Sequence, residues 1–319
     1  MTHSISIIIP TFYRPETLDR CLQCIHSQLQ TNLIFEVIVL DNGQCDQTKA
    51  IVEKYKHHLN EIVYIRNPFG HGLGYSVTKG VGLAKYDLIL ELNDDALLPT
   101  DALSCIANTF ELHPDIGVVG VRAIEKGYSL EEGGIGTIDA LGMRIVGNFS
   151  TETDVIVDVE HVYGFCYAYR KAVLAGGGIH DHNLIAQDYS SGCRLETDHC
   201  LSIRRLGYRV VYDGRIGVIH LAKPRQDIAE ASLSWRLNDI RNTSYVFLKH
   251  FGLTKKKFLS LRYLFLYDLG LLSLIKHPTR ANLDYFMVGL KGRISALWHW
   301  LYFLIRGNGR LDHSERQPR

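Results

Sequence analysis

Five short apolar runs punctuate the first part of the chain, each rich in β-branched residues and too short to be a buried helix. They cover Ser4–Pro10, Phe35–Leu40, Ile62–Arg66, Asp87–Leu92 and Ile116–Val121, and they predict strands. The segments between them keep a helical period. Pro15–Leu29 puts Leu18, Leu22, Ile25 and Leu29 on one face, and Ser76–Ala84 and Ala102–Leu112 predict two further covering helices. Strands alternating with helices predict an α/β domain with a mostly parallel central sheet flanked by helices. In such sheets ligands bind beyond the carboxyl ends of the strands.

The predicted strand ends are polar. The first strand closes in Pro10-Thr-Phe-Tyr-Arg14, the second in Asp41-Asn-Gly-Gln-Cys-Asp46, the third in Asn67-Pro-Phe-Gly-His-Gly-Leu-Gly74 and the fourth in Asn93-Asp94-Asp95. Carboxylates at a strand end suit a hard divalent cation, which takes one or two of them and completes its shell with substrate phosphates. Turn and helix-cap chemistry accounts for Asn-Asp-Asp equally well. Arg14 is placed to reach a phosphate, and Asp41 to accept hydrogen bonds from a base or ribose. Gly70, Gly72 and Gly74 allow close backbone approach to a ligand but match neither the P-loop nor the dinucleotide fingerprint.

Composition adds a division. With 319 residues, 46% of them hydrophobic, the chain can bury a substantial core. The net charge of +1 hides an asymmetry: residues 1–225 carry 20 Lys or Arg against 27 Asp or Glu, and residues 226–319 carry 15 against 7. A catalytic domain over 1–225 and a basic, amphipathic helical extension over 226–319 are expected. A basic tail suits nucleic acid or an anionic membrane surface, and a solvated helix face is the plainer reading. Seven scattered cysteines form no disulfide framework. Cys21 and Cys24 make a CxxC without a second ligand pair and are read as packing residues. The opening Met-Thr-His-Ser lacks a charged-then-apolar leader, so a cytoplasmic protein is expected.

The order of these blocks resembles the family-2 glycosyltransferases, bacterial rhamnosyltransferase-like members included. The matching residues are Ile7-Ile-Ile-Pro-Thr-Phe-Tyr-Arg14, Val37-Ile-Val-Leu-Asp-Asn42 with Asp46, the Asn67–Gly80 loop and helix, and Leu92-Asn-Asp-Asp95. The resemblance implies a GT-A fold and an inverting enzyme that transfers a hexosyl or deoxyhexosyl group from a nucleoside-diphosphate sugar. It assigns donor binding to Thr11, Arg14, Asp41, Asn67, Gly72 and Asp94. The fourth block stands at the DxD-type site for Mg²⁺ or Mn²⁺ and the diphosphate. Asn93 occupies its first position, so Asp95 becomes the candidate metal ligand.

Downstream, Leu195-Glu-Thr-Asp-His-Cys-Leu followed by Gly207-Tyr-Arg-Val-Val-Tyr212 resembles the family's ED-x-D-L block and the strand after it. Leu195 replaces an acidic residue, and the resemblance leaves Glu196 and Asp198 as alternative general bases toward an acceptor hydroxyl. Carboxylates that merely favour a helix N-terminus are the bland alternative. His220 matches a histidine near the metal and diphosphate, and Gly164–Lys171 matches the acceptor-side strand. Gly127–Glu160 matches poorly and is read as a hairpin or insertion.

In the tail, Lys255–Lys257, and Arg293–Arg306 with Trp298, Trp300, Tyr302 and Phe303, suggest helices at a membrane interface. Helices that pack on the catalytic domain or a second subunit, giving a homo-oligomer, are the alternative. The expected partners are a nucleoside-diphosphate sugar, a glycan or lipid-linked acceptor and the inner face of the cell membrane, with no nucleic acid. Two other functions stay open. A nucleotidyltransferase would need a glycine-rich basic loop after the first strand, where Thr11-Phe-Tyr-Arg14 stands instead. A non-catalytic nucleotide-sugar-binding scaffold would account for Asn93 and Leu195.

Overall fold

The computed structural model describes residues 4–28, 33–59, 61–68, 72–126, 133–139, 144–175, 181, 184, 194–221, 232–253 and 269–306. Its contacts divide the chain into two compact units, Met1–Trp235 and Arg236–Arg319.

The first unit alternates strand and helix as the apolar period dictates. β1 (Ser4–Thr11), α1 (Pro15–Ser27), β2 (Ile34–Asp41), α2 (Asp46–Tyr55), β3 (Ile62–Arg66), α3 (Leu73–Leu83), β4 (Leu88–Leu92), β5 (Ala96–Leu97), α4 (Ala102–Leu112) and β6 (Ile116–Ile124) come first. β7 (Thr137–Asp139), β8 (Arg144–Val146), β9 (Val157–Asp158), β10 (Cys166–Arg170), α5 (Ala172–Ala175), α6 (Leu195–Arg205) and β11 (Arg209–His220) follow. Helix α2 has no counterpart among the predicted elements, because its polar first turn masks the buried face of Thr48, Val52 and Tyr55. The hairpin expected within 127–160 is present as the β7–β8 pair, with Ile138 opposite Ile145.

One mixed sheet runs β3-β2-β1-β4-β10-β6-β11-β5, with β9 paired to β11. Strands β1 to β4 are mutually parallel, β10 is antiparallel to both β4 and β6, and β11 is parallel to β6. The carboxyl ends of β1, β2, β3, β4, β6 and β11 therefore lie at one edge, and so does the amino end of β10. β1 is apolar toward both faces because both are covered: Ile5, Ile7 and Ile9 pack with Leu18, Leu22 and Ile25 of α1, while Ile8 joins the opposite layer with Ile203 of α6. Gly80 allows α3 to lie close on the sheet, since a Cβ there would come within 2.6 Å of Ile8 Cγ2. Cys21 is buried and Cys24 packs beside it, as expected of packing residues.

The second unit holds most of α7 (Ser232–Phe251), with α8 (Leu271–Lys276) and α9 (Arg280–Arg306). Two small residues of α9 meet α7: a Cβ on Gly292 would lie 3.1 Å from Ile240 Cγ2, and one on Gly289 would lie 3.4 Å from Ile240 Cδ1. The Arg236 guanidinium stacks on Tyr285, and Arg293 donates to Ser244 Oγ at 2.9 Å. Among the described residues no helix is long and apolar enough to cross a membrane.

Candidate active site

The adjoining loops at this edge are tied to one another by the backbone. Asn42 N donates to Thr11 O and Asn67 N to Asp41 O, each at 2.9 Å, and Asn93 N donates to Phe165 O at 2.8 Å. Three described non-glycine residues have left-handed backbone, Tyr13 (φ 51°), Gln44 (φ 52°) and Arg194 (φ 74°). Tyr13 and Gln44 stand on the loops after β1 and β2, and Arg194 precedes α6. Strained backbone of this kind concentrates at functional sites.

Five of the predicted residues form one connected polar cluster. Thr11 Oγ1 donates to Asp94 Oδ2 at 2.6 Å. Arg14 Nη1 reaches Asp94 Oδ1 at 3.2 Å and Asp95 Oδ2 at 2.6 Å. His220 Nε2 lies 3.4 Å from Asp95 Oδ1. The half-exposed guanidinium of Arg14 is paired with two buried carboxylates of opposite charge. Burial pushes Asp94 up to about 6, against Thr11 and Arg14. Burial would raise Asp95 as well, but His220 and Arg14 outweigh it and hold that carboxyl below its usual range. Burial lowers His220, but Asp95 and Glu125 raise it more, to about 9.

Asp41 is enclosed by its own loop. Its side chain is completely buried; Oδ1 accepts from Gly43 N at 2.9 Å, and Oδ2 accepts from Cys45 N at 2.9 Å and Tyr64 Oη at 2.7 Å. Those bonds shape the loop after β2. Next to it, Asn67 Nδ2 donates to Asn42 Oδ1 at 2.9 Å, Ser76 Oγ donates to the same atom at 2.7 Å, and Lys79 Nζ donates to Asn67 Oδ1 at 3.0 Å. Gly72 precedes α3, and its carbonyl accepts from Ser76 N.

The candidate bases sit in the first turn of α6. Asp198 is 1% exposed, whereas Glu196 is partly exposed and lies against Gly164, where a Cβ would come 3.0 Å from Glu196 Oε2. Gly164 precedes Phe165, whose carbonyl holds Asn93, so Glu196 is one short link from the Asn-Asp-Asp turn. Glu125 and Tyr163 stand in no motif of the sequence, and Phe165 stands only within the Gly164–Lys171 strand. Tyr163 and Phe165 flank the His220 ring, and Glu125 contacts His220 Nδ1. A signal for Glu125 was there, because it closes a strand. That strand was predicted to stop at Val121, and β6 runs to Ile124.

Among the described residues there is no group of three or more His, Cys, Asp or Glu side chains that could hold a metal ion. Asp95 Oδ1 is buried and accepts no hydrogen bond, and His220 Nε2 faces it. One carboxylate and one imidazole fit a divalent cation that completes its shell with water and substrate phosphates.

The sequence pattern that defines glycosyl transferase family 2 matches residues 6–176. The abequosyltransferase RfbV of Salmonella typhimurium is 30% identical over 113 residues, 35% of this chain and 34% of that protein. The chain spans about two fifths or less of the length of the curated relatives first matched. Among solved structures, TarS 1–349 of S. aureus in complex with UDP-GlcNAc superposes with a TM-score of 0.61 at 15% identity, covering 93% of this chain and 81% of that one. The mannosyltransferase PcManGT of Pyrobaculum calidifontis, in complex with GDP-Man and Mn²⁺, gives 0.56 at 14% identity, covering 95% and 88%. At that identity the superpositions speak for the GT-A fold.

Proposed function

The chain belongs to glycosyl transferase family 2, and on that premise we propose that it moves a hexosyl or deoxyhexosyl group from a nucleoside-diphosphate sugar to an acceptor hydroxyl, with inversion at the anomeric carbon. The observation that carries this reading is the connected cluster of Thr11, Arg14, Asp94, Asp95 and His220 at the carboxyl edge of the sheet. Paired carboxylates, a guanidinium and an imidazole gathered there support charge compensation for a diphosphate leaving group.

Asp41 and the Asn42–Asn67–Ser76 network shape the wall for the nucleoside, with Gly72 at its margin. Asp95 and His220 would hold a divalent ion, which when bound neutralises charge on the leaving diphosphate. Arg14 would turn from the carboxylates toward a phosphate once a cation shares Asp95. Glu196 accepts the proton of the acceptor hydroxyl as its oxygen attacks, a contribution of about 10²- to 10⁴-fold. Its partial exposure beside Gly164 favours it over Asp198, which is sequestered and better suited to anchoring the first turn of α6. A nucleotidyltransferase is disfavoured because the loop after β1 offers Arg14 already paired with Asp94 and Asp95, not a glycine-rich basic cradle.

The acceptor is proposed to be a surface or lipid-linked glycan, reached from the inner face of the cell membrane. On α9, Ile294, Trp298, Leu301 and Ile305 share one face and are exposed, Trp298 by 71% and Ile305 by 83%. With the basic balance of residues 226–319, that face suits an anionic interface.

The test is a panel of nucleotide sugars incubated with Mg²⁺ or Mn²⁺, following donor hydrolysis by the wild type, Glu196→Gln and Asp95→Ala. Wild-type turnover of at least one donor, with loss in both variants, is expected. No donor consumed under either metal, or wild-type rates in Glu196→Gln, would overturn the mechanism.

A further inference from the structure

Strand β11 does not run evenly along β6. Asp213 pairs with Val121, and an uninterrupted parallel ladder would set Gly217, four residues on, level with position 125. Instead Gly217 pairs with Arg122 and Ile219 with Ile124. The bulge removes three residues from the ladder, and His220 rather than Gly217 stands level with Glu125.

That bulge is firmly built. Asp213 is completely buried, and Arg215 grips both of its oxygens, Nε at 2.8 Å and Nη2 at 2.7 Å. Gly214 N donates to Thr153 Oγ1 at 3.1 Å. A β-bulge of this kind commonly re-aims a side chain beside a functional site.

The re-aimed side chain is His220. Its Nδ1 meets Glu125 Oε1, which also accepts from Tyr163 Oη at 3.1 Å. Its ring is held between Phe165, centroids 4.7 Å apart, and the edge of Tyr163, 5.6 Å away. Its Nε2 faces the unbonded Asp95 Oδ1. A carboxylate behind a ligating histidine fixes which nitrogen carries the proton and where the other points.

We propose that Glu125 is the positioning residue for His220: it holds the proton on Nδ1 and turns Nε2 toward Asp95 and the cation they share. The β11 bulge is the element that makes this pairing possible, and Tyr163 steadies the Glu125 carboxylate. The assignment rests on the metal reading above and adds an anionic group one step behind the site, where Asn93 leaves the turn one carboxylate short of the family pattern.

The test uses the full chain and Mn²⁺ alone, with no nucleotide. Mn²⁺ affinity is measured by calorimetry or electron paramagnetic resonance for the wild type, Glu125→Ala, Glu125→Gln and Tyr163→Phe. In parallel, nitrogen-15 spectra of histidine-labelled, metal-free protein read the Nδ1-bound proton of His220, assigned by its disappearance in His220→Gln. Glu125→Ala should weaken Mn²⁺ binding by about 10- to 100-fold and lose the Nδ1 signal. Glu125→Gln, a neutral acceptor of the same shape, should fall between, and Tyr163→Phe should change affinity least. Unchanged Mn²⁺ affinity in Glu125→Ala, or an unchanged His220 Nδ1 signal, overturns the proposal. A wild type that takes up no Mn²⁺ sinks the metal reading separately. In that case the ring spectrum alone decides whether Glu125 positions His220, its loss in Glu125→Ala sustaining the positioning and its persistence overturning it.

Discussion

The guanidinium of Arg14 donates to Asp95 Oδ2 across 2.6 Å and to Asp94 Oδ1 across 3.2 Å, so the carboxylates nearest the proposed cation already hold a positive partner. A cation arriving at Asp95 competes with that partner. Because Arg14 is nearly half exposed, the contact is screened and worth about 1 kcal/mol or less. Arg14→Ala should therefore tighten Mn²⁺ binding in the absence of nucleotide by up to about fivefold, while weakening donor binding. Calorimetric titration of Mn²⁺ and then of a nucleoside diphosphate separates the two effects. A variant that loses Mn²⁺ affinity would show that Arg14 supports the site rather than competing for it.

Gly164 should be sensitive for a reason unrelated to backbone freedom. A Cβ there would sit 3.0 Å from Glu196 Oε2, so Gly164→Ala must displace the carboxylate by a few tenths of an ångström. Turnover is expected to fall at least tenfold, with the melting temperature within a few degrees of wild type, because only a flexible side-chain end has to move. Equal rates in Gly164→Ala and the wild type would count against Glu196 as the base.

His161 gives the fold a pH dependence independent of the site. It is 3% exposed, its Nε2 lies 3.2 Å from Val146 O, and burial lowers it to about 4 from an ordinary value near 6.5. The unfolded chain then binds one more proton than the folded chain between those values. That stability is complete above about pH 6.5 and is lost as the pH falls toward 4, roughly 2 kcal/mol of it by pH 5. Urea unfolding at pH 7.5 and pH 5 should show the loss in the wild type and a smaller one in His161→Phe. An identical loss in both would assign the dependence to other groups.

The apolar face of α9 makes the membrane proposal directly testable. Trp298→Glu together with Leu301→Glu removes two exposed apolar side chains, each worth about 1.5–3 kcal/mol when buried, and adds two negative charges. Flotation with anionic liposomes should fall at least tenfold, and flotation with neutral liposomes should be weak for both proteins. Equal flotation of variant and wild type would remove the membrane claim and favour self-association through this face.

Local pattern was enough for much of this protein. The β-branched runs specify the strands, the spacing of Leu18, Leu22 and Ile25 specifies α1, and polar residues gathered after β1 to β4 mark the edge where chemistry belongs, because these signals reside in neighbouring residues. Tertiary structure decided what depends on register and burial between distant segments. It turned Asp41 inward to Gly43, Cys45 and Tyr64, and buried Asp198 while leaving Glu196 against Gly164. The three residues that β11 leaves out of its ladder with β6 bring Glu125 and His220, 95 positions apart, to one level. Neither residue's own neighbours in sequence carry that contact, because a bulge is set by the packing of Asp213, Arg215 and Thr153 within the finished sheet.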